Sequence, residues 1–215
     1  MGYTHYWYRE REIEAPAFHN IVEDFKKLLP LFKVLDIPLA NGFGEDKPVI
    51  DDRKVWFNGL RNCGHPKNKH IGLAWPSDSP KFGTASNSEG TICGSWCAGV
   101  VINQRTCDGD CSYETFHFPR IIPDEYAHKI GKIRYHKIDG TVIYNPPERV
   151  GRYFDFCKTN FKPYDLAVQV FLVIAKHHLG SRIIVASDGT IQQWLDAVQI
   201  CQNAFSYGMD DFKLG

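Results

Sequence analysis

Residues Arg152–Phe205, RYFDFCKTNFKPYDLAVQVFLVIAKHHLGSRIIVASDGTIQQWLDAVQICQNAF, alternate short apolar runs with longer segments of helical period. Arg152–Phe156 reads as a strand and Cys157–Lys162 as a loop. Pro163 then opens a helix with Asp165 in its first turn and apolar residues at Leu166, Val170, Phe171, Val173 and Ile174. His177 and His178 precede Gly180, a pattern that stops a helix and favours imidazolium at its C-terminus. Arg182–Ala186 is a buried-strand run and Ser187-Asp188-Gly189 a turn. Thr190–Phe205 is a final helix with its stripe at Ile191, Trp194, Leu195, Val198, Cys201, Ala204 and Phe205. The order is strand, helix, strand, helix.

A strand–helix–strand unit of this kind predicts two parallel strands joined by a right-handed crossover. Both strands then end on one edge of the sheet, where open α/β sheets bind ligands. Each loop at that edge also feeds a helix N-terminus, whose free amides favour an anion. Lys158, Thr159 and Lys162 supply two cations and a hydroxyl. Tyr164 supplies a flat face and a phenol, and Asp165 and Asp188 can accept from sugar-like hydroxyls. The assembly suits an anionic, nucleotide-like small molecule near residues 157–165 and 187–190. The same residues also have plain structural uses, Asp165 against the helix dipole and Asp188 as a turn former.

Outward from this unit, Tyr3–Tyr8 is aromatic and β-branched and reads as a strand, with Tyr3, His5 and Trp7 on one face. His5 is a candidate wall residue of the site. Phe18, Ile21, Val22, Phe25, Leu28 and Leu29 form the stripe of a helix that starts near Pro16 and that Pro30 should end or kink. Val55–Phe57 is a short strand stopped by the turn signal Asn58-Gly59. Residues 61–92, with Pro66, Pro76 and Pro80, are the most loop-like part of the chain and read as a flexible region. Residues 93–150 read as a cysteine-containing β-hairpin insert. Its strands are Gly99–Ile102 and Tyr113–Phe118 around Asp108-Gly109, then Ile133–His136 and Thr141–Tyr144.

The seven cysteines stand at 63, 93, 97, 107, 111, 157 and 201. Cys93 and Cys97, and Cys107 and Cys111, are pairs with three intervening residues, a spacing that permits zinc without being diagnostic of it. Free thiols behaving as small hydrophobes are the preferred reading, with no metal and no cofactor expected. A structural zinc at Cys93, Cys97, Cys107 and Cys111 is the weaker one. Cys63 and His65 can add ligands, but nothing in the sequence fixes where they lie, and His65, His70 and His117 have no partner at metal-ligand spacing. Thr106–Ser112 also looks like a calcium loop, but Thr115 stands where an EF-hand needs Glu.

In all, 215 residues carry 25 Lys and Arg against 25 Asp and Glu. Zero net charge argues against binding a nucleic-acid polymer, whose phosphates demand basic surface. No apolar run approaches the roughly 18 residues of a membrane span, and the N-terminus lacks the basic start and apolar run of a signal peptide. The expectation is a cytoplasmic protein without membrane partners. Phosphate-loop, Gly-x-Ser-x-Gly and His-Glu-x-x-His signatures are absent.

Gly2-Tyr-Thr-His-Tyr6, Phe57-Asn-Gly59, Phe156-Cys-Lys-Thr159 with Lys162-Pro-Tyr-Asp165, and Ser187-Asp-Gly189 with Trp194 resemble an uncharacterised family of bacteria and bacteriophages. The resemblance covers both ends of the chain but not residues 61–150. It implies that the N-terminal strand and the C-terminal β-α-β-α unit share one domain, and it supplies no catalytic residues. An association with phages would make sequestration of a nucleotide signal one use of the site.

The expected protein is therefore a single α+β domain over residues 1–215, with a mixed sheet and helices packed on it. It binds its ligand through Lys158, Thr159, Lys162, Tyr164, Asp165, Asp188 and His5. Two rivals stand beside this reading. One is a nucleotide-processing hydrolase or transferase with His5 or Asp188 as base; the other is a zinc-stabilised protein-interaction module.

Overall fold

The computed structural model describes residues 3–71, 105–126, 133–209 and 212–215. The expected strand at Gly99–Ile102, most of the 61–92 loop region and the pair Cys93 and Cys97 lie outside the described residues. The chain is an α+β fold. In order, its elements are β1 (Thr4–Arg9), α1 (Ala15–Val34), β2 (Leu39–Ala40), β3 (Val49–Ile50), β4 (Lys54–Gly59), β5 (Lys69–Ile71), β6 (Arg105–Cys107), β7 (Phe116–Pro119), β8 (Ile133–His136) and β9 (Val142–Tyr144). These are followed by β10 (Tyr153–Lys158), α2 (Asp165–Leu179), β11 (Ile183–Ser187) and α3 (Leu195–Phe205).

The N-terminal strand is the middle of a three-stranded sheet ordered β10-β1-β11. Both neighbours run antiparallel to β1, with Thr4 opposite Lys158 and His5 opposite both Cys157 and Ser187. β10 and β11 therefore point the same way and end on one edge, but with β1 between them rather than side by side. A second sheet runs β2-β4-β3, with β7 also paired to β4, and β5-β6 and β8-β9 are two-stranded. The first strand of the expected hairpin about Asp108-Gly109 lies outside the described residues; among those described, β6 pairs with β5 and β7 with β4. The hairpin at 133–144 is formed as expected.

α2 packs against α1, α3 and β11 and is buried on nearly every side, which suits its near-continuous apolar sequence. Its Phe171 ring lies 5.3 Å from Phe25 of α1, 5.1 Å from Phe116 and 5.0 Å from Phe118 of β7. Trp7 of β1 meets the same cluster at Phe116, 5.2 Å away, so one aromatic core joins both larger sheets to the helices.

Three local expectations change. Pro30 lies inside α1, which continues to Val34, because tertiary burial of Phe32 and Leu35 outweighs the lost hydrogen bond. Asn58 and Gly59 are strand residues rather than a turn; the Asn58 side chain donates to the carbonyls of Gly42 and Tyr113 and accepts from the Tyr113 amide. β10 extends through Cys157 and Lys158, since pairing with β1 holds both in the ladder.

Candidate functional site

At the shared edge of β10 and β11, alternation along the strands separates two surfaces. On the inner face, His5 is fully buried. Its Nε2 lies 2.7 Å from Asp165 Oδ1, and its Nδ1 lies 3.0 Å from the Ser187 hydroxyl. Asp165 stands in the first turn of α2 and is also buried. It accepts from the Thr159 hydroxyl and, at its second oxygen, from Arg105 Nε at 3.1 Å. Arg105, brought in by β6, reaches Asp196 of α3 at 3.2 Å and Gln169 of α2 at 2.8 Å. Gln169 donates in turn to the Tyr3 hydroxyl.

Burial alone would raise the Asp165 carboxyl. The charge and hydrogen bond of His5, with Arg105 and Thr159, outweigh it and hold the group below the ordinary carboxylate value. Asp165 thus places a carboxylate of the chain's own in the first turn of α2, where it opposes the helix dipole without capping its amides. At the other loop Thr190 and Gln193 form a capping box, so the helical turn that begins at Ile191 is satisfied internally.

The outer face is more open. Lys158 and Asp188 flank the buried Thr4, and the Asp188 amide donates to the Thr4 carbonyl. Next along the strands, Phe156 and Ala186 flank Tyr6. Phe156 is 42% exposed, and the Tyr6 hydroxyl donates to Asp188 at 2.7 Å. Lys158 Nζ is 3.6 Å from Glu114, an exposed pair worth little in water.

The sequence-selected residues therefore divide. Lys158 and Asp188 share the outer face, while His5, Thr159 and Asp165 belong to one buried network. Tyr164 is buried and donates to the carbonyls of Glu114 and Lys158. Lys162 donates to the Asp110 carbonyl at 2.8 Å. Sequence reading missed Arg105, Ser187, Gln169 and Asp196, which enter from four different segments. The period of β1 was the available signal, since it puts His5 among buried aromatics.

Cys63, His65, Cys107 and Cys111 form a second polar cluster in which the ligand atoms lie within 4.8 Å of one another. This grouping can hold a metal ion. Cys107 and Cys111 are thus joined by Cys63 and His65, the two residues whose place the sequence leaves open. Among the described residues no helix is long and apolar enough to cross a membrane. Comparison with known proteins adds no relative: no family model matches the chain, and neither a curated protein nor a solved structure matches it.

Proposed function

We propose that the chain binds a small anionic, nucleotide-like molecule on the outer face of the β10-β1-β11 sheet. The observation that carries this reading is the row Lys158–Thr4–Asp188 beside the row Phe156–Tyr6–Ala186. The exposed Phe156 ring offers a stacking surface, Lys158, which lies 6.0 Å from that ring and 3.6 Å from Glu114, offers a phosphate contact, and Asp188 with Tyr6 offers acceptors and donors for hydroxyls. The helix N-termini, where Asp165 and Thr190 stand, give the reading no support. The Lys158 cation and the Phe156 ring do. His5, Thr159, Tyr164 and Asp165 act beneath the ligand by fixing the strand ends. Sequestration without turnover suits a site whose only buried acid–base pair, among the described residues, faces the core.

Calorimetric titration with a panel of mononucleotides and dinucleotides, followed by chromatography of the recovered ligand, tests this. Lys158→Ala should weaken binding by about 1.5–3 kcal/mol, as for a hydrogen bond to a charged group. Phe156→Ala should cost about 1–3 kcal/mol, as for one stacked base. Unaltered recovered ligand fits a binding protein, and a new product would favour the enzyme reading. Wild-type affinity in the double variant would place the site elsewhere.

A further inference from the structure

We infer that Cys63, His65, Cys107 and Cys111 hold a structural zinc ion. Cys63 Sγ lies 3.3 Å from Cys107 Sγ, Cys107 Sγ lies 3.3 Å from Cys111 Sγ, and Cys111 Sγ lies 3.2 Å from His65 Nδ1. Three sulfurs and one imidazole nitrogen at these separations suit a single tetrahedral ion, whose sulfur ligands sit about 2.3 Å from the centre. All three thiols are free. One disulfide would use only two of them and leave the histidine unexplained.

The surroundings are arranged for an ion and not for loose thiols. His65 turns its other nitrogen, Nε2, to Asp36 at 3.1 Å. Carboxylates behind a ligating histidine fix its ring and strengthen it as a donor, and this one leaves Nδ1 directed at the sulfurs. Asp36 occupies an unusual position to do so. It follows the last turn of α1, with its amide donating to Lys33 and the Ile37 amide donating to Phe32, the Schellman pattern of a helix C-terminus. That pattern needs a left-handed residue and ordinarily takes Gly. Asp36 adopts it at φ 59°, a conformation that disfavours a side chain. From that position its carboxylate meets His65 and, at 3.6 Å, Lys69.

The backbone is fitted to the same purpose. Gly64, between the first two ligands, and Gly109, between the other two, both have positive φ. The Cys63 amide donates to the Gly109 carbonyl, and the Cys111 amide to Leu60. A Cβ on Gly59 would overlap the Cys111 carbonyl, so glycine at the end of β4 lets the last ligand approach. Cys107 and Cys111 are fully buried. A dication supplies the charge that thiolates need in such a place. Four protein ligands leave no open position, so the ion is structural and the soft donor set selects zinc over calcium or magnesium. The ligand set therefore differs from the four-cysteine set considered from sequence.

Protein purified without chelator and analysed by elemental mass spectrometry should carry about one zinc per chain. X-ray absorption should find about three sulfurs near 2.3 Å and one nitrogen near 2.0 Å. His65→Ala should lose the ion, and His65→Cys should restore it. Asp36→Asn keeps all four ligands and tolerates the left-handed turn; chelator competition should show zinc held about 10–100-fold less tightly. Because the wild type and Asp36→Asn retain every ligand, the inference stays testable if His65→Ala fails to fold. Folded wild-type protein that neither contains zinc nor takes up cobalt(II) with thiolate charge-transfer absorption would overturn it. Full zinc content in folded Cys107→Ser/Cys111→Ser protein would do the same.

Discussion

Arg105 and Cys107 stand two residues apart in β6 and enter two different buried polar clusters. Arg105 Nε lies 3.1 Å from Asp165, and Cys107 Sγ lies 3.3 Å from Cys63. A strand of three residues, paired only with β5 among the described residues, thus connects the thiol cluster to the network beneath the sheet edge. Holding Cys107 in place also holds the guanidinium between Asp165 and Asp196.

Treating the full chain with a strong chelator should therefore loosen β6 before it loosens β1. Hydrogen exchange read by mass spectrometry should show lost protection in peptides covering 63–71 and 105–111. Peptides covering 4–9 should remain protected. Uniform loss across both would mean that the cluster and the core unfold as one unit.

Asp165→Asn should cost about 3–5 kcal/mol in urea denaturation near neutral pH, because it removes one of the two carboxylates that face the buried Arg105 and the carboxylate that faces His5. The pH dependence follows from the lowered Asp165 carboxyl. The unfolded chain binds the proton more readily than the folded one, so the contribution is present above the unfolded carboxylate value of about 3.9. It is lost as pH falls through the lower folded value. The variant should show a flatter acid limb, and an unchanged limb would remove Asp165 as its source.

Gly59→Ala should destabilise the fold by about 1–3 kcal/mol, the cost of overpacking a site with backbone on the far side. The added methyl meets the Cys111 carbonyl rather than a side chain that can swing away. Thermal unfolding compared with wild type checks this, and an unchanged midpoint would show that the Cys111 segment shifts freely.

Cys157 and Cys201 should resist alkylation in the native protein. Both are fully buried, and burial pushes both thiols up, leaving little thiolate to react. The Cys157 thiol lies 3.5 Å from the Glu114 carbonyl and 4.0 Å from the Tyr164 hydroxyl. Pulsed labelling with peptide mapping should find these two residues modified only on unfolding. Rapid native labelling of Cys157 would show that its thiol is open to solvent in the folded protein.

Periodicity alone located α1, α2, α3, β1, β10 and β11, since each buries an apolar face whose spacing is written locally in the chain. The face assignment of Tyr3, His5 and Trp7 follows from the same rule. Strand extent was less legible: Asn58-Gly59 reads as a turn in isolation and is a strand in the fold, because Asn58 bridges Gly42 and Tyr113. The position of β1 between β10 and β11 depends on pairing between the two ends of the chain, which no local pattern encodes. The same holds for both polar clusters. Asp165 reads as a helix-dipole acid until Arg105 arrives from 60 residues away, and Cys63 and His65 read as loop residues until β6 carries Cys107 to them. Local sequence sets which face of an element is apolar, whereas a buried charge or a metal-ligand set requires groups from distant segments to meet. Only the tertiary structure decides that meeting.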